Sequence, residues 1–160
     1  MITLVATALE SAGLEVLVVG RTAADNGLAA VGDVPGLGGG PAVGLLSAFE
    51  HAKGSDVLLV AVDQPLLRPE TVRQLVSLPG DAVVPSAAGH PQVTCALYRR
   101  ACHEPLHRLL EGGQGKLRRL LDLVDTTLVA PDRWEGWGED GRSWLSLDTP
   151  EAVRDAEALL

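Results

Sequence analysis

The chain has 160 residues, of which 46% are hydrophobic and 21% are charged, and this composition excludes disordered, collagen-like and coiled-coil proteins. Lys and Arg number 13 against 21 Asp and Glu, and the formal charge of −8 disfavours a nucleic acid polymer as partner, because phosphate backbones bind basic surfaces. No apolar run approaches the roughly 20 residues that span a bilayer, and no leader segment is evident, so we expect a single cytoplasmic domain over residues 1–160 that binds no membrane.

The first half of the chain alternates helical and extended patterns. Apolar residues at helical spacing predict a helix over 1–12, and Gly13 follows at the position of a left-handed C-cap. A short apolar run at 15–19 predicts a buried strand, and a helix over 42–53 leads to a second such strand at 56–62. This order of elements predicts βαβ units and therefore a parallel sheet.

The second half continues the alternation. Pro69 at a first-turn position predicts a helix to Ser77, the run 81–85 predicts a buried strand, and the weak alternation of 91–98 predicts a strand at the sheet margin. The remaining predicted elements are helices near 104–110 and 116–123, short strands at 126–130 and 143–147, a surface excursion over 132–142, and a last helix with Asp148 at its N-cap. Together they predict a three-layer α/β sandwich around a Rossmann-like, doubly wound, mostly parallel sheet, with ligands beyond the carboxyl ends of the strands.

A glycine-rich segment over 33–44 precedes the second predicted helix. It holds five glycines and two prolines, and glycines allow positive φ and close backbone approach, while a helix start offers amides to an anion. A ligand-binding loop and a flexible surface loop both fit this composition. The segment matches neither the dinucleotide-binding fingerprint nor a Walker A loop, because the glycine pattern runs into Pro41.

Two carboxylates are candidate metal ligands. Asp63 comes directly after a buried strand and before the turn at Gln64-Pro65, which is where α/β enzymes place a ligand for Mg²⁺. The alternative for Asp63 is a carboxylate that caps the turn. Asp148 is either a second metal ligand or only the cap of the last helix, and capping explains it adequately.

These segments occur in an order that resembles the molybdenum cofactor guanylyltransferase family, within the wider group of sugar-phosphate nucleotidyltransferases. The matching residues are Asp33, the run Gly40-Pro41-Ala42-Val43-Gly44, the Asp-x-Pro of Asp63-Gln64-Pro65, the pair His90-Pro91, and the terminal segment 146–151 ahead of the last helix. The resemblance covers nearly the whole chain and implies a sheet of the nucleotide-diphospho-sugar transferase type.

By this resemblance, Asp63 is the catalytic carboxylate that holds Mg²⁺ against the phosphates of GTP, with Asp148 as a possible second ligand. Asp33, Gly40, Pro41 and Gly44 would contact the nucleotide. The implied reaction transfers GMP from Mg-GTP to the phosphate of molybdopterin and releases pyrophosphate. Both partners are then small molecules.

The chain also departs from the family pattern. The family's first strand and its glycine-rich, triphosphate-binding signature have no counterpart in 1–13, and Gly20-Arg21 replaces an asparagine usual after the next strand. We therefore expect a sheet without its first strand, in a monomer or weak homo-oligomer. An alternative function is a shortened, catalytically impaired nucleotide-binding homologue, and another is a related cytidylyl- or phospholactate-type transferase.

Other motifs have competing interpretations. His103-Glu104-Pro105-Leu106-His107 reads as the zinc protease pattern, but Pro105 favours the first helical turn and so places His103 at or before the helix cap. Cys95 and Cys102 form no disulfide framework and are more typical of core residues. The basic groups Arg99-Arg100 and 116–119 are either solvated helix faces or contacts for the pterin phosphate.

Overall fold

The computed structural model describes residues 1–20 and 27–158, which form a mixture of helices and strands. Arg21, which replaces part of the family pattern, lies outside them. The strands are β1 (Leu17–Val19), β2 (Ala29–Val31), β3 (Val57–Val60), β4 (Ala82–Ala87), β5 (His90–Pro91), β6 (Cys95–Tyr98) and β7 (Thr126–Val129). The helices are α1 (Ile2–Ser11), α2 (Pro41–His51), α3 (Pro69–Ser77), α4 (His103–Glu111), α5 (Pro131–Glu135) and α6 (Pro150–Glu157).

The larger sheet has the order β3-β6-β4, with β7 on the other side of β4 and the short β5 forming a hairpin with β4. Strand β6 is antiparallel to both β3 and β4, and β7 is parallel to β4, so β3, β4 and β7 share one direction. The mostly parallel α/β fold is thus confirmed. The prediction of a marginal strand over 91–98 is wrong, because β6 lies in the middle of the sheet with all of its residues buried.

A second, smaller sheet contains β1 and β2, which are parallel. The sequence did not predict β2, which is only three residues long and lies between Gly27 and Gly32. Helix α2 packs against both β1 and β3 and so bridges the two sheets. Within the described residues, β1 pairs only with β2, and β3 pairs only with β6. Each of these two strands therefore has one unpaired edge.

Two apolar layers cover the two faces of the larger sheet, as a three-layer sandwich requires. One layer contains α2, α4 and the side chains of Ala96 and Tyr98. The other contains α3, Trp134 and Trp144, and the side chains of Cys95 and Leu97. Successive β6 residues thus point to opposite layers, because side chains alternate along a strand. No helix in the described ranges is long and apolar enough to cross a membrane.

The region after β7 differs from its prediction in three places. The stretch 132–142 is not a surface excursion, because Trp134 is buried and donates from Nε1 to the carbonyl of Ser86. The stretch 143–147 forms no strand, and its first two residues belong to a 3-10 turn at Arg142–Trp144. The cap of α6 is Thr149, whose hydroxyl accepts from the N–H of Ala152, so Asp148 is not the cap. Before β7, the predicted helix over 116–123 is a 3-10 helix, Leu117–Asp122.

Candidate functional site

A cleft of about 1200 Å³ lies between β1 and β3 and is lined by both strands, by α1 and by the start of α2. We call it the inter-strand cleft. Asp33, Gly40, Pro41 and Gly44, all predicted to contact a nucleotide, line this one cleft. Gly20, which follows β1, lines it as well. The structure thus brings four of the predicted site residues together.

The glycine-rich segment enters α2 through a glycine with an unusual backbone. Gly40, the residue before the helix, has φ 101° and ψ 177°, a conformation that L residues rarely adopt. No side chain caps the start of α2 within the described residues, so its first amides are available to a ligand. The segment is also held in place, because Ser47 accepts at Oγ from the N–H of Val34 at 2.8 Å and donates to the carbonyl of Val43.

The carboxylate of Asp33 and the helix α2 both lie close to β1, at distances that a Cβ on the neighbouring glycines would still respect. A Cβ atom placed on Gly20 would lie 3.8 Å from Oδ1 of Asp33, and one on Gly39 would lie 4.0 Å from Oδ2. A Cβ on Gly44 would lie 3.9 Å from Cγ1 of Val19. Asp33 is exposed, so its carboxylate remains accessible at the mouth of the cleft.

Asp63 lies just beyond the cleft, in the turn that follows β3. Ala61 and Val62 still line the cleft, and Asp63 comes next. The carbonyl of Asp63 accepts from the N–H of Leu147 at 2.7 Å, and the hydroxyl of Ser146 donates to Oδ2 of Asp63. The structure therefore brings the terminal segment beside Asp63 across more than eighty residues of chain. Asp148, the next residue but one after Ser146, is exposed near the same turn.

The residues around Asp63 fit a cation that a substrate helps to bind. Among the described residues, no three His, Cys, Asp or Glu side chains group closely enough to hold a metal ion by themselves. Mg²⁺ in nucleotide enzymes typically takes one or two carboxylates and completes its shell with phosphates and water, so Asp63 and Asp148 suit it. Gln64 is 3% exposed, and its Oε1 has no hydrogen-bond partner in the described chain, so the turn also offers an unused acceptor.

The zinc protease pattern does not form a metal site. His103 is the first residue of α4, one position after the N-cap Cys102 and so one beyond the predicted place, and its ring stacks on that of His107 with centroids 6.4 Å apart. Nε2 of His103 lies 2.8 Å from Oε1 of Glu50, and Oε1 of Glu104 lies 3.0 Å from Nε of Arg108. Both histidines are therefore engaged in contacts between side chains on the surface of α2 and α4.

The contact between Glu50 and His103 should make a small part of the stability depend on pH. The hydrogen bond from His103, aided by its charge, holds the pKa of Glu50 below the usual 4.5. Because the folded-state pKa is depressed, the stabilisation is present above pH 4.5 and is lost as the pH falls through the folded-state pKa. Glu50→Gln should lower the free energy of unfolding at pH 6 by less than about 1 kcal/mol, since the pair is partly exposed.

Urea unfolding of both proteins at pH 6 and pH 3 measures this difference, which should vanish at the lower pH. Glu135→Gln, on an exposed residue of α5, is the matched control and should leave the pH profile unchanged. A Glu50→Gln difference that is equal at the two pH values would contradict the expectation.

The basic pair after β6 anchors the fold instead of facing the cleft. The guanidinium of Arg99 donates to the carbonyls of Leu78 and Gly80, and Nη1 of Arg100 donates to the carbonyl of Phe49 at 2.9 Å. Arg99 is partly buried and so is not part of a solvated face, whereas Arg100 is exposed in spite of its hydrogen bond. The other basic residues, Lys116, Arg118 and Arg119, are exposed along the 3-10 helix.

A buried carboxylate that sequence analysis missed holds the region after α5. Glu139 is 3% exposed and accepts hydrogen bonds from the hydroxyls of Thr71 and Ser143 and from the N–H groups of Asp140, Gly141 and Ser143. The hydroxyl of Ser143 in turn accepts from the N–H of Arg68 at 3.1 Å. This network ties the segment before Ser146 to α3 and so positions the terminal segment at Asp63.

The chain is similar in sequence to known proteins. The family model of the MobA-like NTP transferase domain matches residues 1–129. A probable molybdenum cofactor guanylyltransferase of Chloroflexus aggregans is 29% identical over 128 residues, which are 77% of this chain and 62% of the relative. A protein of the same name from Bacillus licheniformis is 36% identical over 110 residues, 63% of this chain and 56% of the relative. The chain thus spans less than two thirds of the length of these curated relatives.

Solved structures show the same fold. The crystal structure of molybdopterin-guanine dinucleotide biosynthesis protein A from Archaeoglobus fulgidus matches with a TM-score of 0.81 and 19% identity, over 98% of this chain and 84% of that one. A putative protein from Aquifex aeolicus matches with a TM-score of 0.72 and 20% identity, over 92% of this chain and 80% of that one. At these identities the likeness establishes the fold of the chain.

Proposed function

The chain belongs to the MobA-like NTP transferase family, and from this premise we propose that it transfers GMP from GTP to molybdopterin in the cytoplasm, with release of pyrophosphate. The observation that carries the proposal is the arrangement around the inter-strand cleft. Asp33, Gly40 and Gly44 line the cleft, and the turn with Asp63 follows directly from its wall. Ligands of open α/β sheets bind at such carboxyl ends of strands.

The glycine-rich segment and Asp33 would bind the nucleoside. Guanine carries N–H donors, for which the exposed carboxylate of Asp33 is a suitable acceptor, and the amides at the start of α2 suit a phosphate or a polar ring. Gly40, Pro41 and Gly44 leave room for close approach of the ligand to the backbone. These residues would orient GTP so that its α-phosphate lies near Asp63.

Asp63 would hold a divalent cation at the phosphates, with Asp148 as a second ligand. When bound, Mg²⁺ neutralises charge on the triphosphate and on the leaving pyrophosphate. An oxygen of the molybdopterin phosphate attacks the α-phosphorus of GTP, and the bond from that phosphorus to the oxygen bridging to the β-phosphate breaks. The part of the protein is to position both reactants, with no covalent intermediate. The hydroxyl of Ser146 orients Asp63 for this task.

The decisive experiment incubates the purified chain with GTP, Mg²⁺ and molybdopterin and measures pyrophosphate and the guanylylated pterin. Turnover with GTP, and little with CTP, is the expected result. Binding of GTP without pyrophosphate release would instead identify an impaired nucleotide-binding homologue. Preference for CTP would indicate a cytidylyl-type transferase. A chain that binds neither nucleotide would overturn the proposal.

A further inference from the structure

We propose that His90, at the end of the hairpin formed by β4 and β5, donates a hydrogen bond to the phosphate of the acceptor and holds that phosphate beside Asp63. This role deepens the proposed function and rests on it for the identity of the acceptor, while the contact itself requires only a phosphate monoester. Four features support it: the course of the strands, the sheet face on which His90 lies, the turn that presents it and its unpaired imidazole.

Strand β5 continues the line of β6 along one edge of β4. The carbonyl of Asp81, just before β4, accepts from the N–H of Arg99, which follows β6. The carbonyl of Pro85, four residues later and so on the same edge, accepts from the N–H of Gln92, which follows β5. Because β6 lies between β4 and β3, β5 is on the side of β4 that faces β3.

The turn with Asp63 leaves the sheet at the same end as β5. The N–H of Ala61 donates to the carbonyl of Thr94 at 2.8 Å, so the chain after β3 and the chain before β6 are still adjacent there. Asp63 follows two residues after Ala61, and His90 comes four residues before Thr94. His90 therefore lies further from the sheet than Asp63 by two residues of extended chain, or about 7 Å. This separation leaves room for a phosphate next to a cation held by Asp63.

His90 also lies on the sheet face that carries the terminal segment. It pairs with Ala87 of β4, and directly paired residues of antiparallel strands place their side chains on the same face. Ala87 packs against the apolar layer that contains Trp144, two residues before Ser146. Ser146 in turn donates to the carboxylate of Asp63. His90, the terminal segment and Asp63 thus share one side of the sheet.

The turn that presents His90 is strained and held in place. Ala88 has φ 51°, which is uncommon for a residue with a Cβ, and it occupies the two-residue turn between Ala87 and His90. Nε2 of Gln92 donates to the carbonyl of Ala87 at 3.3 Å and to that of His90 at 3.1 Å. Strained backbone that the surrounding contacts hold is concentrated at functional sites, which favours a ligand contact for His90.

The imidazole of His90 is available to a ligand. The residue is exposed, and its ring makes no hydrogen bond or ion pair within residues 1–20 and 27–158. Arg68, after the turn, donates instead to the carbonyl of Gly138, and Arg142, before the terminal segment, pairs with Asp140 at 2.7 Å. A neutral imidazole donates one N–H and a protonated one donates two, so His90 suits a phosphate in either state. A hydrogen bond to one phosphate oxygen leaves another oxygen to attack the α-phosphorus.

Binding of a pterin phosphate tests this role without GTP. The probe is 6-(hydroxymethyl)pterin phosphate, its control is the same pterin without phosphate, and fluorescence anisotropy measures both affinities. We expect the chain to bind the phosphate form at least about tenfold more tightly than the control. His90→Phe keeps a ring but has no N–H, so it should bind both forms equally. His90→Arg restores a donor and should recover most of the preference.

A matched variant and a kinetic measurement exclude a purely structural role. His107→Phe makes the same change on α4 and should keep the full preference for the phosphate form. In the transferase assay, His90→Phe should raise the KM for molybdopterin at least about tenfold and change Mg-GTP affinity less than about twofold. A loss of Mg-GTP affinity as large as the rise in KM would indicate general damage to the site and would overturn the assignment of His90.

A preference for the phosphate form that is equal in His90→Phe and the parent chain would also overturn it, even where GTP is turned over. So would a parent chain that does not prefer the phosphate form. Conversely, a preference that depends on His90 in a chain without GTP turnover would support the phosphate contact and refute only the transferase reaction. The two failures are therefore distinguishable.

Discussion

Replacing Asp63 with asparagine is expected to remove the part of GTP affinity that depends on magnesium. Asparagine keeps the size of the side chain and one oxygen, but it lacks the negative charge that attracts a divalent cation. We expect Mg-GTP affinity to fall at least about tenfold and turnover with molybdopterin at least about a hundredfold, the scale on which loss of one positioned electrostatic group acts. Calorimetric titration with GTP, with Mg²⁺ and with EDTA, measures the first effect.

Two controls distinguish loss of the Asp63 charge from a general loss of structure. In EDTA the variant and the parent chain should bind GTP equally, because no cation is present to be held. Asp122→Asn, on an exposed residue of the 3-10 helix, makes the same chemical change at a distance and should leave Mg-GTP affinity unaltered. Unchanged Mg-GTP affinity in Asp63→Asn would remove Asp63 from the site.

Replacing Glu139 with alanine is expected to cause the largest loss of stability of any single change considered. The carboxylate accepts five hydrogen bonds, including those from Thr71 and Ser143, and it is 3% exposed. Its removal leaves several buried donors without an acceptor. We expect the free energy of unfolding to fall by at least about 3 kcal/mol, as when one member of a buried charged network is removed. Urea unfolding followed by tryptophan fluorescence measures it, since Trp134 and Trp144 pack in the adjoining layer.

Two further variants define the cause of that loss. Glu139→Gln keeps the volume but presents an amide N–H₂ group to hydrogen-bond donors. Its free energy of unfolding should therefore lie between those of the parent chain and the Glu139→Ala variant. Glu135→Ala, four residues earlier and exposed, should change stability by no more than about 0.5 kcal/mol. A Glu139→Ala protein as stable as the Glu135→Ala protein would show that the network contributes little.

Local signals sufficed for most of the helices and for the order of the elements. The periodic apolar residues of α1 and the proline at the start of α3 predicted both helices closely, and the apolar runs predicted β1 and β3. These signals depend on residues close in sequence. The position of β6 in the middle of the sheet depends on which strands flank it, and nothing within 91–98 encodes that choice.

The candidate site was partly predictable for the same reason. Asp33, Gly40 and Asp63 stand in short segments whose residue types suggest their chemistry, and the structure places these segments around one cleft. Their roles remain predictions. Glu139 was missed because it lies among glycines and charged residues, which usually indicate exposure, while its burial depends on Thr71, which is 68 residues away in the chain.

The two cysteines offer a means of observing transient opening of this molecule. Burial raises the pKa of the Cys95 thiol to about 12, with the charge of Glu139 acting in the same direction, and burial raises that of Cys102 to about 12. Both sulfurs are therefore protonated and shielded in the native state, whereas it is the exposed thiolate that attacks an alkylating reagent. Alkylation by iodoacetamide would consequently detect transient separation of the interior layers, and where reclosing is faster than alkylation its rate would give the fraction of molecules that are open under native conditions.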